Sequence, residues 1–361
     1  MRNVRIIALV AVLVLVAGML TGCGDPMARA QKALDKGDLA TAHRLLGQAE
    51  TKEAAALQKE IVFVPVGMAV AYPSGVADNV VYTYDKEGRL EKRELKAGRK
   101  GYANETDTYT YDENGYIKRI EHATAKGEEK TSGYVAYTCD SAGRFLSVFE
   151  EKADGTWQKT VNTYHKDGRK ATSVVEGTGL TRESTRYLYD DQNRLILEDI
   201  HFADGRHTRH EYQYNDEGLL ESETFVEKSG DPVNVTYTYN KLGLLSIRYR
   251  SEGAGGWAKE KYNYTKEGVL RSTLESASEG FPKEGDYKYN SKGQRKQAIF
   301  KESSAETVVT YTYDRNGNVK SMKKEVNGEM EYEKTITWMA VRYSADLPMF
   351  VQDAIDAVTA I

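Results

Sequence analysis

The chain has 361 residues, of which 29% are charged and 40% hydrophobic, with 25 tyrosines, two cysteines and a net charge of −4. Charges alternate in sign and gather in no basic stripe, which argues against nucleic-acid binding. No glycine-rich phosphate loop, nucleophile elbow, paired-histidine helix or metal-spaced cysteine set is present, so the expectation is a protein that is not an enzyme and carries no cofactor and no metal.

Residues 1–22 read as an export signal. Arg2 and Arg5 form a positive leader, and Ile6 to Leu20 is an apolar run too short for a stable spanning helix. The run ends in Leu20-Thr21-Gly22-Cys23, which resembles the bacterial lipobox. That resemblance implies lipidation of Cys23, with acyl chains as the link to the membrane. Gly24, where an Asp signals inner-membrane retention, favours the outer membrane if the cell is Gram-negative. Export also removes two arginines, leaving a net charge near −6. Cys139 is then the only thiol of the mature chain, and no internal disulfide forms.

Residues 23–61 change alphabet to Ala, Leu, Lys, Gln and Glu. Ala30, Ala33 and Leu34 form one helical stripe, and Leu39, Ala42, Leu45, Leu46 and Ala49 form a second after Lys36-Gly37-Asp38. The expectation is a helical hairpin that spaces or caps the next domain, or docks a partner helix. Residues 62–79 read as an irregular strand and loop, with Pro65 placing the strand at an edge.

From residue 80 to 343 one motif recurs. Its first copy is Tyr82-Thr83-Tyr84-Asp85-Lys86-Glu87-Gly88-Arg89-Leu90, and the second tyrosine falls again at Tyr111, Cys139, Tyr164, Tyr189, Tyr214, Tyr239, Tyr264, Tyr289 and Tyr313. The dominant step is 25 residues, a period that signifies stacked supersecondary units. The pattern rests on Tyr82, Tyr84, Asp85 and Gly88, then on Tyr109, Tyr111, Asp112 and Gly115, and on Tyr187, Tyr189 and Asp190. It continues through Tyr212, Tyr214 and Gly218, through Tyr237, Tyr239 and Gly243, through Tyr262, Tyr264 and Gly268, and through Tyr311, Tyr313, Asp314 and Gly317. Both rings of Tyr-x-Tyr share a strand face. Asp and Gly close a tight turn, with Asn193 as the one substitute for glycine. An apolar residue such as Leu90 follows, except at Lys170 and Arg295. Each unit is one hairpin plus a looser connection such as Ala153-Asp154-Gly155, giving about ten units and roughly twenty antiparallel strands. The expected fold is mainly β, a long antiparallel hairpin sheet curled into a spiral or partial barrel with the tyrosines inside. Ile336-Thr337-Trp338 reads as a final half-unit that never turns, and residues 344–361 as a helix covering the last strand edge.

These copies resemble the Rhs, or YD, repeats of bacterial surface and toxin-associated proteins. The resemblance implies a β sheet winding into a shell; the chain lacks the length for the enclosed toxin of the large members.

Three aromatics near the looser turns, Trp157, Trp257 and Phe281, are candidate ligand-binding residues, for stacking sugars or engaging a protein; alternatively they cover the edges of the tyrosine ladder. His201, His207 and His210 flank the Asp204-Gly205 turn, where cross-strand geometry brings His207 near His201; a surface metal site is one reading, and exposed strand residues near a hairpin tip is the preferred one. The functional expectation is a non-catalytic cell-envelope lipoprotein presenting a scaffold for a protein or glycan ligand. The alternative is a periplasmic accessory or immunity-type protein for an Rhs toxin or secretion system.

Overall fold

The computed structural model describes residues 25–226, 230–253, 255–342 and 349–359. The expected export signal and Cys23 lie outside them. The remainder is mainly β: 22 strands, β1 (Ile61–Ala71) to β22 (Glu329–Arg342), with four short helices, α1 (Pro26–Asp35), α2 (Leu39–Leu46), α3 (Lys52–Lys59) and α4 (Met349–Thr359). Where two N-terminal helices are expected there are three. Thr51 Oγ1 accepts the Ala54 N–H and starts the third, an N-cap that satisfies one orphan amide.

Each Tyr-x-Tyr strand turns at its Asp-x-x-Gly and returns antiparallel. Tyr84 lies opposite Leu90 while Thr83 lies opposite Lys92, so Glu91 is an extra residue and the strand pair carries a bulge. The same register shift recurs at Tyr111, Cys139, Tyr164, Tyr189, Tyr214, Tyr239, Tyr264, Tyr289 and Tyr313. A bulge adds twist and bends its strand. One at the same height in every unit bends the sheet always in the same sense.

The sheet therefore closes, and this corrects the expectation of a spiral or partial barrel. Every strand pairs with its sequence neighbours, and β1 pairs with both β2 (Ala77–Tyr84) and β22. The closing pair copies a hairpin: Trp338 lies opposite Pro65 and Thr337 opposite Gly67, with Val66 as the extra residue. Ile336-Thr337-Trp338 makes no turn of its own: β22 runs on to Arg342 and finds its partner in β1, the first strand of the sheet. An eleventh unit is thus split between the two termini. Pro65 is not on an edge strand: β1 pairs on both sides, and Pro65 adjoins the bulge at Val66, a place in a sheet where proline is tolerated.

At about 4.8 Å per strand, 22 strands have a perimeter of roughly 105 Å, too long for wall side chains to fill the interior. Residues between the paired tyrosines, such as Thr83 and Thr110, are exposed, whereas the tyrosine face is buried or half-buried and lines the concave side. Helix α4 lies on that side, not over an edge: Ala354 and Val358 are buried with Val64, Val80, Tyr82 and Leu90. The N-terminal helices form a second core, Ala30, Ala42, Leu45, Leu46 and Ala54 around Ile61. Both helical packs gather where the tight turns lie, at the seam.

Candidate functional site

The barrel has two rims. The tight rim carries the Asp-x-x-Gly turns, the loose rim the connections between units.

At the tight rim the repeated side chains are occupied by the fold. Asp85 Oδ1 accepts the Glu87 and Arg89 amides at 3.0 and 2.9 Å, and Gly88 takes φ +80°, a conformation that a Cβ penalises. Asn193 does the same with φ +66°. Asp112, Asp140, Asp190, Asn215, Asn240, Asn290 and Asp314 repeat the Asp85 contacts. Arg89, Arg144, Arg169 and Arg194 then stack over the marker tyrosine of the next unit, at 4.6–4.8 Å from its centroid.

The marker tyrosines are occupied too. Tyr111 donates its hydroxyl to the Leu90 carbonyl at 2.7 Å, the carbonyl at the preceding unit's bulge. Tyr84 does so to Pro65, Tyr164 to Phe145, Tyr189 to Lys170, Tyr214 to Leu195, Tyr239 to Leu220, Tyr264 to Leu245, Tyr289 to Leu270 and Tyr313 to Arg295. Trp338 Nε1 donates to Val319 at 2.7 Å, completing the ring through the split unit. Cys139 Sγ points at the Ile117 carbonyl from 3.9 Å, a weak substitute, and burial pushes its thiol pKa up. Lys170 and Arg295, which break the apolar rule, still present their carbonyls and lay their cations over Tyr187 and Tyr287. Burial raises the phenol pKa along the face, at Tyr109 to about 12, so the rings remain protonated donors.

The first tyrosine of each pair meets unit-specific partners. In the sector around Tyr212, Glu223 accepts from Tyr237 at 2.5 Å and lies 2.9 Å from His210 Nε2. Tyr212 stacks on His210 at 4.2 Å. Arg248 Nη1 donates to Glu260 at 2.7 Å, and Glu260 accepts from Tyr262 at 2.5 Å. Sequence reading missed Glu223, Arg248 and Glu260, although the period-two alternation from each Tyr pair places them on this face. The network is internally satisfied.

The convex face differs. Trp157 stacks on Phe149 with centroids 5.9 Å apart, and Trp257 on Tyr249 at 6.5 Å. Both tryptophans are 37% exposed. The Trp157 amide donates to the Thr178 hydroxyl and its carbonyl accepts the Thr178 amide, and Trp257 does the same with Ser278, at identical distances of 3.2 and 2.8 Å. The two sites are one site repeated. Since Trp157 is an odd number of residues from Tyr164, alternation puts it opposite the tyrosines, and the idea that these rings cover the tyrosine ladder is overturned. Phe281 is 70% exposed and has no equivalent stack among the described contacts. His201 and His207 are brought together on the convex face, and His210 is placed on the concave one.

The convex wall also carries ion pairs along its strands, Lys92 to Glu94 at 2.7 Å and Arg119 to Glu121 at 3.0 Å. Most strands have seven or eight residues, against about 9–11 for a membrane-spanning strand, and charges in a lipid-facing band are costly. The described wall is built to face water. Among the described residues, no helix is long and apolar enough to cross a membrane.

The chain matches no protein-family model and no curated protein. Among solved structures it is similar to the toxin complex TcdB2-TccC3, at 11% identity and a TM-score of 0.28, over 76% of this chain and 21% of that one. It is also similar to a porin-like protein from Bacteroides uniformis, at 9% identity and a TM-score of 0.31, over 76% of this chain and 98% of that one. The chain spans about a fifth of the toxin chain's length. At these scores neither likeness says what this chain does.

Proposed function

We propose that the chain is a non-catalytic envelope lipoprotein of the YD-repeat type, held to a membrane by acyl groups on Cys23, whose barrel is a scaffold for binding a protein or glycan. One observation carries this reading: the repeated side chains are used up in holding the ring, while the stacked pairs Phe149–Trp157 and Tyr249–Trp257 present the same half-exposed geometry to solvent at two places. Paired aromatic faces offer apolar area with a polar handle at low entropic cost, and suit sugar rings or a protein hot spot. Two copies of one weak site on a rigid body act by avidity.

The test is retention on purified envelope glycans and on crosslinked envelope protein, comparing the native chain with Trp157→Ala, Trp257→Ala and the double variant. Retention that drops modestly in each single variant and collapses in the double variant supports the reading. Retention unchanged in the double variant ends it. Protease treatment of intact cells then separates a surface-facing scaffold, digested with a periplasmic control spared, from one that faces the periplasm.

A further inference from the structure

The stacked pairs Phe149–Trp157 and Tyr249–Trp257 lie one hundred residues apart. Midway between them, at the same positions of the repeat, stand Asp199 and His207. The fold accepts an aromatic pair at this place, so nothing in the hairpin itself calls for a carboxylate and an imidazole. Strand β11 (Leu195–Phe202) adds His201, two residues from Asp199 and on the same face, and β12 (His207–Tyr214) sets His207 directly opposite His201 across the strand pair.

The two imidazoles stack with centroids 4.4 Å apart and 25° between planes. Their Nε2 atoms converge on one carboxylate: His207 Nε2 lies 2.5 Å from Asp199 Oδ1 and His201 Nε2 lies 3.2 Å from Asp199 Oδ2. The three donor atoms lie within 4.8 Å of one another. A zinc ion held by nitrogen and oxygen at about 2.0–2.2 Å brings its ligands to within roughly 3.3 Å of each other, so a small rotation of either ring suffices. Asp199 is the least exposed of the three, at 19%, and the histidines open to solvent at 59% and 39%, leaving room for water or a donor from another molecule.

We propose that Asp199, His201 and His207 form a surface site for a divalent cation of the imidazole-preferring class, for which Zn²⁺ is the probe. Two imidazoles and a carboxylate suit Zn²⁺, Cu²⁺ or Ni²⁺ and disfavour Mg²⁺ and Ca²⁺, which take oxygen ligands. Arg209 is the competing cation: its Nε stands 3.3 Å from Asp199 Oδ1 and its side chain is 55% exposed. It swings away when the metal binds. Three of the chain's six histidines sit on these two strands, and the third, His210, lies on the concave face bonded to Glu223, outside this ligand set.

The experiment is calorimetric titration of the chelator-washed full chain with Zn²⁺ alone, repeated on His201→Gln, His207→Gln, Arg209→Gln and His122→Gln. His122 lies against Asp107 and serves as a histidine–carboxylate pair outside the proposed site. The expected result is one Zn²⁺ per chain, at least tenfold weaker binding in each of the first two variants, equal or tighter binding in Arg209→Gln, and no change in His122→Gln. Circular dichroism and melting in chelator, unchanged for these exposed positions, separate lost ligation from lost fold. No saturable one-to-one binding, or binding unaltered when His201 and His207 are both replaced, overturns the proposal, as does loss in His122→Gln alone.

Discussion

The two rims of the barrel are built from the same 25-residue unit yet obey different rules. At the tight rim the same bonds recur from unit to unit: an acidic or amide side chain caps its own turn, and a tyrosine crosses to the neighbour's bulge. At the loose rim the equivalent positions hold Trp157, Arg182, His207, Pro232 and Trp257 in turn. The tight rim fixes curvature and register, so a change there is felt around the ring. The loose rim is free of that duty, and diversity collects where the fold makes no demand.

The largest effect follows from breaking the ring itself. Deleting residues 25–71 removes β1 and leaves β2 and β22 as two open edges, which invite pairing with other chains. Size-exclusion chromatography should show association in place of a monomer. Deleting one complete internal unit, 25 residues long, leaves both halves of the split unit intact, and that variant should remain monomeric and cooperative. If both deletions behave alike, closure by β1 is not what holds the barrel.

Within the tight rim, Leu90 is 1% exposed beside α4 and the seam. Leu90→Ala should cost about 2–5 kcal/mol through lost transfer energy and the cavity left behind, read from denaturant midpoints. The half-buried Leu195 holds the same repeat position in a sector without a helix, and Leu195→Ala should cost less. Equal losses would show that the seam is no better packed than the rest.

Tyr189→Phe keeps the ring and removes the donor to the Lys170 carbonyl. The expected loss is about 1 kcal/mol, with the carbonyl left at an interrupted ladder. Cys139 is nature's version of this experiment: its 3.9 Å contact to Ile117 already forgoes most of the bond. Cys139→Tyr should therefore raise the melting temperature, whereas Tyr189→Phe lowers it.

Acid separates the units by chemistry. Hydrogen bonds from Arg144 hold Asp140 below the usual carboxylate range, and those from Arg194 do so for Asp190. A depressed folded-state pKa means that the stabilisation is present above about pH 4, the unfolded value, and is lost as pH falls through the folded one. The turns at Asn215 and Asn240 are capped by an amide oxygen, which does not titrate in this range. Hydrogen exchange, corrected for the intrinsic rate, should show the Arg144 and Arg194 amides losing protection between pH 5 and pH 2 while the Leu219 and Leu244 amides keep theirs. Asp140→Asn should remove the pH dependence at its own turn alone. A uniform loss across all turns would assign acid sensitivity to the barrel as a whole.

Much of the tight rim was legible in the sequence because its physics is local. Asp85, Gly88 and the alternation of Tyr82 with Tyr84 dictate a turn and a face within nine residues, and even Asn193 declares its left-handed backbone. Closure was not legible, because Pro65-Val66-Gly67 shares no side chain with the motif and acts through its backbone register. Trp338 was the one hint. Parity was available and unused: counting from Tyr164 places Trp157 on the convex face, and the same count separates His210 from His207. The carboxylates Glu223 and Glu260 were hidden for another reason, since charges on a strand read as solvated unless a wide interior is already known.

The loose rim should lose less stability than the buried core, and there the comparison is sharpest. Trp157 is already 37% exposed and stacks on one ring, so Trp157→Ala should cost the aromatic pair, about 0.5–1.5 kcal/mol, plus the share of its area that is buried, and less than the about 3–5 kcal/mol of a fully buried Trp→Ala. Any loss of ligand retention in that variant is then a loss of contact and not of fold. Trp257→Ala should match it in both readouts, because its stack on Tyr249 and its bonds to Ser278 reproduce the first site. A large loss of stability in either variant would mean that the fold depends on the loose rim as much as on the tight one, and the division of labour between them would fail.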